Sequence, residues 1–403
     1  MSMPLARPMR ILQVIETGGP GGAETILVEL SGGLQRRGHQ VSALVGGEGW
    51  LATALRDRSV AVESHRSSRA FDLALLMLLV RRIRAERIDI VHAHLFGGAL
   101  YAGLAAAACG IPAVVTLHGQ TDVRDSGLRM QFKRRILRRT VRRIVLVSES
   151  LRLDIAPILR ASEAAYRVIL NGVSSADTPL SLVPEISRRI ADIAWAPKLV
   201  AVGNIRVPKG YPVLLDALAH LKERFPTIRL RIAGQPDRGE LIGELKAQVL
   251  ALGLSDNVEF LGYVEDPASL FADADCFVLA SHREGFSLAT IEAMLVGTPV
   301  VATRSGGPEE ILMHEETGLL VPPSDPLAFS EAVARILDDP DGAHDMAVRA
   351  QVRARERYSL ESMVAAYESL YEELIALDSQ RRRTLGCVGD RKLRAAGYSQ
   401  GRP

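Results

Sequence analysis

A chain of 403 residues exceeds one ordinary hydrophobic core, so two or three domains are expected. With 47% apolar and 24% charged residues and a formal net charge of +2, the composition is that of a globular protein, and overall charge predicts no nucleic-acid partner. Cys109, Cys276 and Cys387 lie far apart and form no CxxC pair, which excludes a disulfide framework or a cysteine metal site and fits a reducing cytosol.

In chain order, MSMPLARPMR lacks the long apolar stretch of a signal peptide, because strand-like RILQVIE follows at once. The loop GGPGGAE leads into a helix, TILVELSGGLQRRG. Strand HQVSALV, helices LATALRDRS and DLALLMLLVRRIRAE, and strand IDIVHAH come next. From Leu95 to Leu117 there is no Asp, Glu, Lys or Arg, a length that could span a bilayer. CGIP interrupts it and AVVTL is strand-like, so the reading is buried helix, turn and buried strand. PAVVTLHG and RRIVLVSES are further strands ending in polar residues. Near-continuous apolar strands between amphipathic helices predict a parallel sheet covered on both faces.

After AYRVILNGV the pattern blurs into SSADTPLSLVPEISRRIADIAWAP, read as a linker with a short helix. The alternation then restarts: strand KLVAVGN, loop IRVPKG, helix YPVLLDALAHLKERFP, strand IRLRIAG, helix GELKAQVLALG, strand VEFLGYV, strand CFVLAS, helix SLATIEAMLVG and strand TPVVAT. A last helix, LESMVAAYESLYEELIAL, starts after Ser359 as N-cap. From Asp378 the tail is polar and basic with no sustained apolar period, and disorder is expected.

Several stretches carry chemistry. In GGPGGAE, Gly21 and Gly22 let backbone N–H groups approach an anion at a helix start, although the same residues also make a tight turn. Arg206 and Lys209 follow a strand end in VGNIRVPKG and suit a diphosphate, or are two solvated cations on a loop. In REGFSLATIEAM the N–H groups of Ser287 and Leu288 open a helix, and Glu292 lies about one and a half turns along. Glu292 is placed to accept from both hydroxyls of a ribose, and Glu284, on the turn, from the hydroxyls of a hexose on the same diphosphate. The bland alternative is a capping carboxylate and a solvent-facing one. Asp273-x-Asp275 has the shape of a metal-binding pair but precedes a buried strand. His92 and His94 share one strand face, where packing or hydrogen bonding is expected.

Glu284 and Glu292 stand in E-x7-E spacing. With GGPGGAE, DIVHAH, TLHG, VSES, NGV, VGNIRVPKG, NVEFLGYV and GLLVPPSDP in order, the chain resembles the retaining glycosyltransferases of family 4 from about residue 9 to 375. The resemblance implies an α/β chain of the GT-B fold, two Rossmann-like parallel-sheet domains facing an interdomain cleft. The expected units are an acceptor-binding domain over residues 1–180, a nucleotide-sugar donor domain over 181–357, a helix over 358–377 returning to the first domain, and the basic tail 378–403. It further implies Arg206 and Lys209 on the donor diphosphate, Glu292 on the ribose and Glu284 on the transferred sugar. Gly285, Phe286, Ser287 and Leu288 form the turn that meets sugar and phosphate. Gly21 and Gly22 form the flexible loop near phosphate and acceptor, and His118 lies close to the reacting carbon. Gly234 sits where the family has a longer glycine-rich turn, and Gln235-Pro236 departs from it. No essential metal or other cofactor is implied.

The expected activity is transfer of a hexose, with retention, from a UDP- or GDP-linked sugar to a hydroxyl acceptor such as a glycan or lipid-linked precursor. An epimerase or phosphorylase on the same fold, and a catalytically silent sugar-binding scaffold, are the competitors. The scaffold is disfavoured because Glu284, Arg206 and Lys209 are all present. Residues 124–144 read as a basic amphipathic helix that can lie on an anionic membrane, at the inner face of the cytoplasmic membrane, or as the solvated face of a packed helix. Oligomeric state is left open.

Overall fold

The computed structural model describes residues 7–66, 72–119, 123, 127–174, 196–237 and 239–396, with side chains as far as Gln380. The first sheet has seven parallel strands in the order β3-β2-β1-β4-β5-β6-β7. They are β1 Arg10–Val14, β2 Gln40–Val45, β3 Ala61–Ser64, β4 Ile90–His94, β5 Ala113–Leu117, β6 Arg143–Leu146 and β7 Tyr166–Val168. Connecting helices are α1 Gly22–Arg36, α2 Trp50–Asp57, α3 Leu73–Ala85, α4 Phe96–Cys109, α5 Leu128–Thr140 and α6 Glu149–Leu159. The charge-free stretch resolves as α4, a left-handed C-cap at Gly110 and β5, which is buried throughout. Among the described residues no helix is long and apolar enough to cross a membrane.

The second sheet has six parallel strands in the order β10-β9-β8-β11-β12-β13. These are β8 Lys198–Val202, β9 Arg229–Ala233, β10 Val258–Gly262, β11 Cys276–Leu279, β12 Val300–Thr303 and β13 Leu319–Val321. Its helices are α7 Tyr211–Arg224, α8 Leu241–Ala251, α9 Ala268–Asp273, α10 Leu288–Val296, α11 Gly307–Ile311, α12 Pro326–Asp338 and α13 Pro340–Arg357. The architecture is therefore the expected pair of Rossmann-like parallel-sheet domains. Strand order reverses between β1 and β4 in one sheet and between β8 and β11 in the other. Ligands of open α/β sheets bind outside the strand ends at such reversals.

The terminal helix α14, Leu360–Ala396, carries Met363, Val364, Tyr367, Leu370, Tyr371 and Leu374 at helical spacing. All are buried in one cluster with Ile11, Leu27, Ile90, Val114 and Val145 of the first domain. Ser359 caps it, accepting from the Ser362 N–H at 3.2 Å. The helix runs to Ala396, so the disorder expected from Asp378 is corrected as far as that residue. Arg, Leu, Lys and Ala in the extension have high helix propensity and prolong an established helix without an apolar face. Residues 397–403 and most of the predicted linker, including the 180/181 boundary, lie outside the described residues.

Candidate active site

The two strand-order reversals face each other across a cleft. On the second-domain side, β11 ends at Leu279 and the turn 280–287 delivers the chain to α10. Ser287 caps that helix, its hydroxyl accepting from the Thr290 N–H at 3.3 Å and from the Thr290 hydroxyl at 2.9 Å. This leaves the first N–H groups of α10 pointing into the cleft. Across from them is the start of α1, where Gly22 lies 3.9 Å from Leu288 if a Cβ is placed on it. Two helix N-termini thus converge, each carrying partial positive charge.

Glu284 and Lys209 meet beside this junction. The Lys209 ammonium lies 2.7 Å from Glu284 Oε2, which also accepts from the Ser281 hydroxyl at 3.1 Å. Arg206, on the same loop, is turned to Asp237 at 3.5 Å. Glu292 sits half-buried on α10. Burial pushes its carboxyl up to about 7, with the Asp266 charge adding to the effect. Gly234 and Gln235 flank the loop after β8: the Ile205 N–H donates to the Gln235 carbonyl at 2.9 Å and the Gln235 N–H to Asn204 Oδ1 at 3.2 Å. The Asn204 amide then donates to the Pro20 carbonyl at 3.1 Å, joining the glycine loop to the second domain.

His118 lies at the opposite wall, after β5. It belongs to a buried polar chain. His94 Nε2 donates to Gln13 Oε1 at 3.2 Å, so its Nδ1 accepts from His118 Nε2 at 3.0 Å. That assignment leaves His118 Nδ1 as an acceptor. Beneath it, His92 bonds Thr116 at 2.8 Å and the Tyr371 hydroxyl at 2.6 Å, while Tyr367 bonds Thr116 at 2.9 Å. Burial holds His92 and His118 down at about 3 and His94 well below its usual range, so all three rings are neutral. The packing and hydrogen-bonding expectation for His92 and His94 holds, and α14 is wired into it through two tyrosines.

Three residues passed over in the sequence complete the cleft. Glu16, just past β1, places its carboxylate at the start of α4, in the space that a Cβ on Gly97 would fill. It is exposed on the cleft side, yet crowding by the walls desolvates it and raises its carboxyl, against the Gly97 N–H and the Lys133 charge. Ser148 donates to the Gly285 carbonyl at 2.7 Å. The Glu310 carboxylate accepts from the N–H groups of Glu149 at 2.9 Å and Ser150 at 2.5 Å, capping α6 from the other domain.

The Asp273-x-Asp275 pair lies at the opposite end of β11. Asp273 is bridged to Lys198 at 2.6 Å and Arg231 at 2.8 Å, and Asp275 accepts from the Lys198 N–H at 2.8 Å. The structure brings Lys209 to Glu284, Gly22 to Leu288 and Gly285 to the His118 backbone, with Gly21 beside Gly22, Phe286 and Ser287 on the same turn as Gly285 (the Phe286 ring packed inward on Tyr358) and Glu292 further along α10. Arg206 and Gly234 stand on the adjoining loops.

Comparison with known proteins bears on family and fold. The profile of Glycosyltransferase Family 4 matches residues 20–177, and that of Glycosyl transferases group 1 matches residues 185–353. N-acetyl-alpha-D-glucosaminyl L-malate synthase of Bacillus anthracis is 26% identical over 89% of this chain and 95% of that protein. The D-rhamnosyltransferase WbpZ of Pseudomonas aeruginosa is 33% identical over 62% of this chain and 64% of its own length. Anabaena HepE, solved with UDP and glucose, shares the fold with a TM-score of 0.79 at 24% identity, covering 91% of this chain and all of that one. With both halves matched in order around one cleft, the chain belongs to glycosyltransferase family 4 and has the GT-B architecture.

Proposed function

We propose that the protein is a retaining hexosyltransferase that uses a nucleoside-diphosphate hexose, UDP- or GDP-linked. The acceptor is a hydroxyl of a glycan, lipid-linked or small-molecule substrate in cell-surface polysaccharide or glycolipid synthesis. One observation carries the reading: the Lys209–Glu284 pair stands beside two converging helix N-termini at the reversals of both sheets. The UDP and glucose bound by Anabaena HepE support the donor class.

In this reading the diphosphate lies between the starts of α1 and α10, met by Lys209 and by Arg206 once it leaves Asp237. Glu292 takes the ribose hydroxyls, Glu284 those of the hexose, and His118 stands at the reacting carbon. The bond from the anomeric carbon to phosphate oxygen breaks as the acceptor oxygen bonds on the same face. The acceptor proton passes to the departing phosphate oxygen. Charge grows on the diphosphate, so fixed cations and helix dipoles supply the main stabilisation. Glu284, already engaged by Lys209 and Ser281, holds the sugar rather than attacking it.

A panel of sugar nucleotides, read by calorimetry against wild type and Glu292→Ala, tests this. One donor should bind the wild type and fail with the variant; if no sugar nucleotide binds, the reading is wrong. Glu292 must be ionised to accept from two hydroxyls, and its carboxyl stands near 7. Below that pH the free site is protonated, and binding must expel the proton. The donor dissociation constant should rise about tenfold from pH 8 to pH 6, and Glu292→Gln should flatten the profile.

Glu16 faces the acceptor half of the cleft, and we assign it to an acceptor hydroxyl. Glu16→Gln should raise the acceptor KM about tenfold, the order of one charge-assisted hydrogen bond, with donor affinity unchanged. Equal acceptor KM values in the two proteins would remove the assignment.

On α5, Leu128 and Phe132 are 83% and 64% exposed, one turn apart, on a helix bearing Arg129, Lys133, Arg135, Arg138 and Arg139. This face suits an anionic lipid surface. Phe132→Asp should abolish flotation with anionic vesicles, and unchanged flotation would place the contact elsewhere.

A further inference from the structure

Two adjoining hollows of about 300 and 560 Å³ open between α5 and the C-terminal end of α6. Arg138 and Arg160 line both; Arg135 and Arg139 line the first, and Pro157 and Ile158 the second. Arg135, Arg138 and Arg139 are three and four residues apart, so α5 turns them to one side. The Arg138 guanidinium donates to the Arg160 carbonyl at 3.0 Å, which anchors it to the end of α6.

The charge around these hollows is unbalanced. Among the described residues no carboxylate lines either one. Glu163, next to Ser162 of the wall, is bridged to Arg152 at 2.6 Å, and Arg152 also holds Glu149. Among the described residues, Arg135, Arg138, Arg139 and Arg160 make no ion pair. Four guanidinium groups gathered round one concavity repel one another, and a bound anion relieves that repulsion. Their planar forks match the oxygens of a phosphate group. Pro157 and Ile158 add an apolar wall that suits the carbon portion of an ester.

The place is distinct from the transfer cleft. α6 begins at the cleft, where Glu310 caps it, and the hollows lie at its far end. At 1.5 Å per residue its 11 residues put them about 15 Å away. We propose that this arginine-walled hollow is a second binding site, for a phosphate ester held outside the transfer cleft. The ester is a lipid headgroup or a soluble phosphate compound; the phosphate chemistry is the same. The assignment does not depend on the transfer reaction.

The test uses the full chain, with Arg135→Gln/Arg139→Gln as the variant. Arg229→Gln/Lys246→Gln on the second domain is the charge-matched control. Each is titrated with inorganic phosphate and with glycerol phosphate, and floated with phosphatidic acid vesicles against phosphatidylcholine vesicles. The wild type should bind at least one phosphate probe or the phosphatidic acid vesicles. The variant should lose that binding about tenfold, as expected for removal of bidentate contacts, while the control changes less than about twofold. Binding of soluble esters without vesicles identifies a soluble ligand, and binding of vesicles alone identifies a headgroup. Absence of all binding, or binding that the variant retains or the control loses equally, overturns the proposal. Sugar-nucleotide affinity, measured on the same proteins, reads the transfer site separately, because Lys209 and Glu292 are untouched.

Discussion

Lys209→Ala is expected to lower kcat about 10²- to 10³-fold, or roughly 3–4 kcal/mol of transition-state stabilisation, with little change in thermal midpoint. Lys209 lies 2.7 Å from Glu284, and the two side chains are only 23% and 13% exposed, so solvent screens them weakly. A donor diphosphate would meet the ammonium and the converging helix ends together. Removing the ammonium takes away a cation and also leaves Glu284 unneutralised beside an incoming anion. The second effect is separable, because Lys209→Ala/Glu284→Gln should lose less than the sum of the two single variants. Lys209→Arg should recover only part of the rate, since a planar fork does not reproduce a point charge against Glu284 and Ser281. The measurement is turnover with the donor identified by the nucleotide panel, alongside thermal denaturation. A fall in kcat below about threefold would show that Lys209 does not face the leaving group.

The inner strands of both sheets were legible because they are near-continuous apolar runs separated by amphipathic helices, and Leu95–Leu117 resolved as α4 and β5 for the same reason. The edge strands β3, β7 and β13 were not read, being only three or four residues long and, in β3 and β7, partly exposed. α6 was not read as a helix. Its start, Ser148-Glu149-Ser150, looks like the polar end of β6, and Pro157 interrupts its pattern; the N-cap hydrogen bond from the Leu151 N–H to Ser148 defines it instead. The extension of α14 past Asp378 was missed because it has propensity without periodicity. Around the candidate site, the local motifs singled out Glu284, Glu292, Arg206 and Lys209. Glu16, Ser148 and Glu310 gave no such signal, since each acts on a group far away in sequence: Gly97, Gly285 and the start of α6. Nor does spacing reveal that Arg206 turns to Asp237 while Lys209 alone reaches Glu284.

These distant contacts also make Gly285→Ala a severe test of cleft closure. The turn carrying Gly285 is held between two parts of the first domain. Ser148 donates to the Gly285 carbonyl at 2.7 Å, and a Cβ on Gly285 would collide with the His118 carbonyl oxygen. That oxygen is backbone and cannot rotate aside. The variant must therefore hold the turn away from His118 or distort the start of α10. Displacement by about 1 Å costs a reaction of this kind about 10²-fold in rate, because the reacting atoms no longer reach attack distance. Where the turn moves as a whole, donor affinity should change less than turnover, since Lys209, Glu284, Glu292 and the start of α10 move with it. Ser148→Ala removes the bond to Gly285, about 1 kcal/mol, and also the N-cap of α6 at the Leu151 N–H, without a clash; it should slow turnover only about fivefold and lower the thermal midpoint slightly. The expected order is thus a large loss for Gly285→Ala and a small one for Ser148→Ala, both in kcat more than in donor binding. Small-angle scattering with donor bound should show Gly285→Ala more extended than wild type. Wild-type turnover by Gly285→Ala would mean that the reaction does not need the His118 wall pressed against the turn.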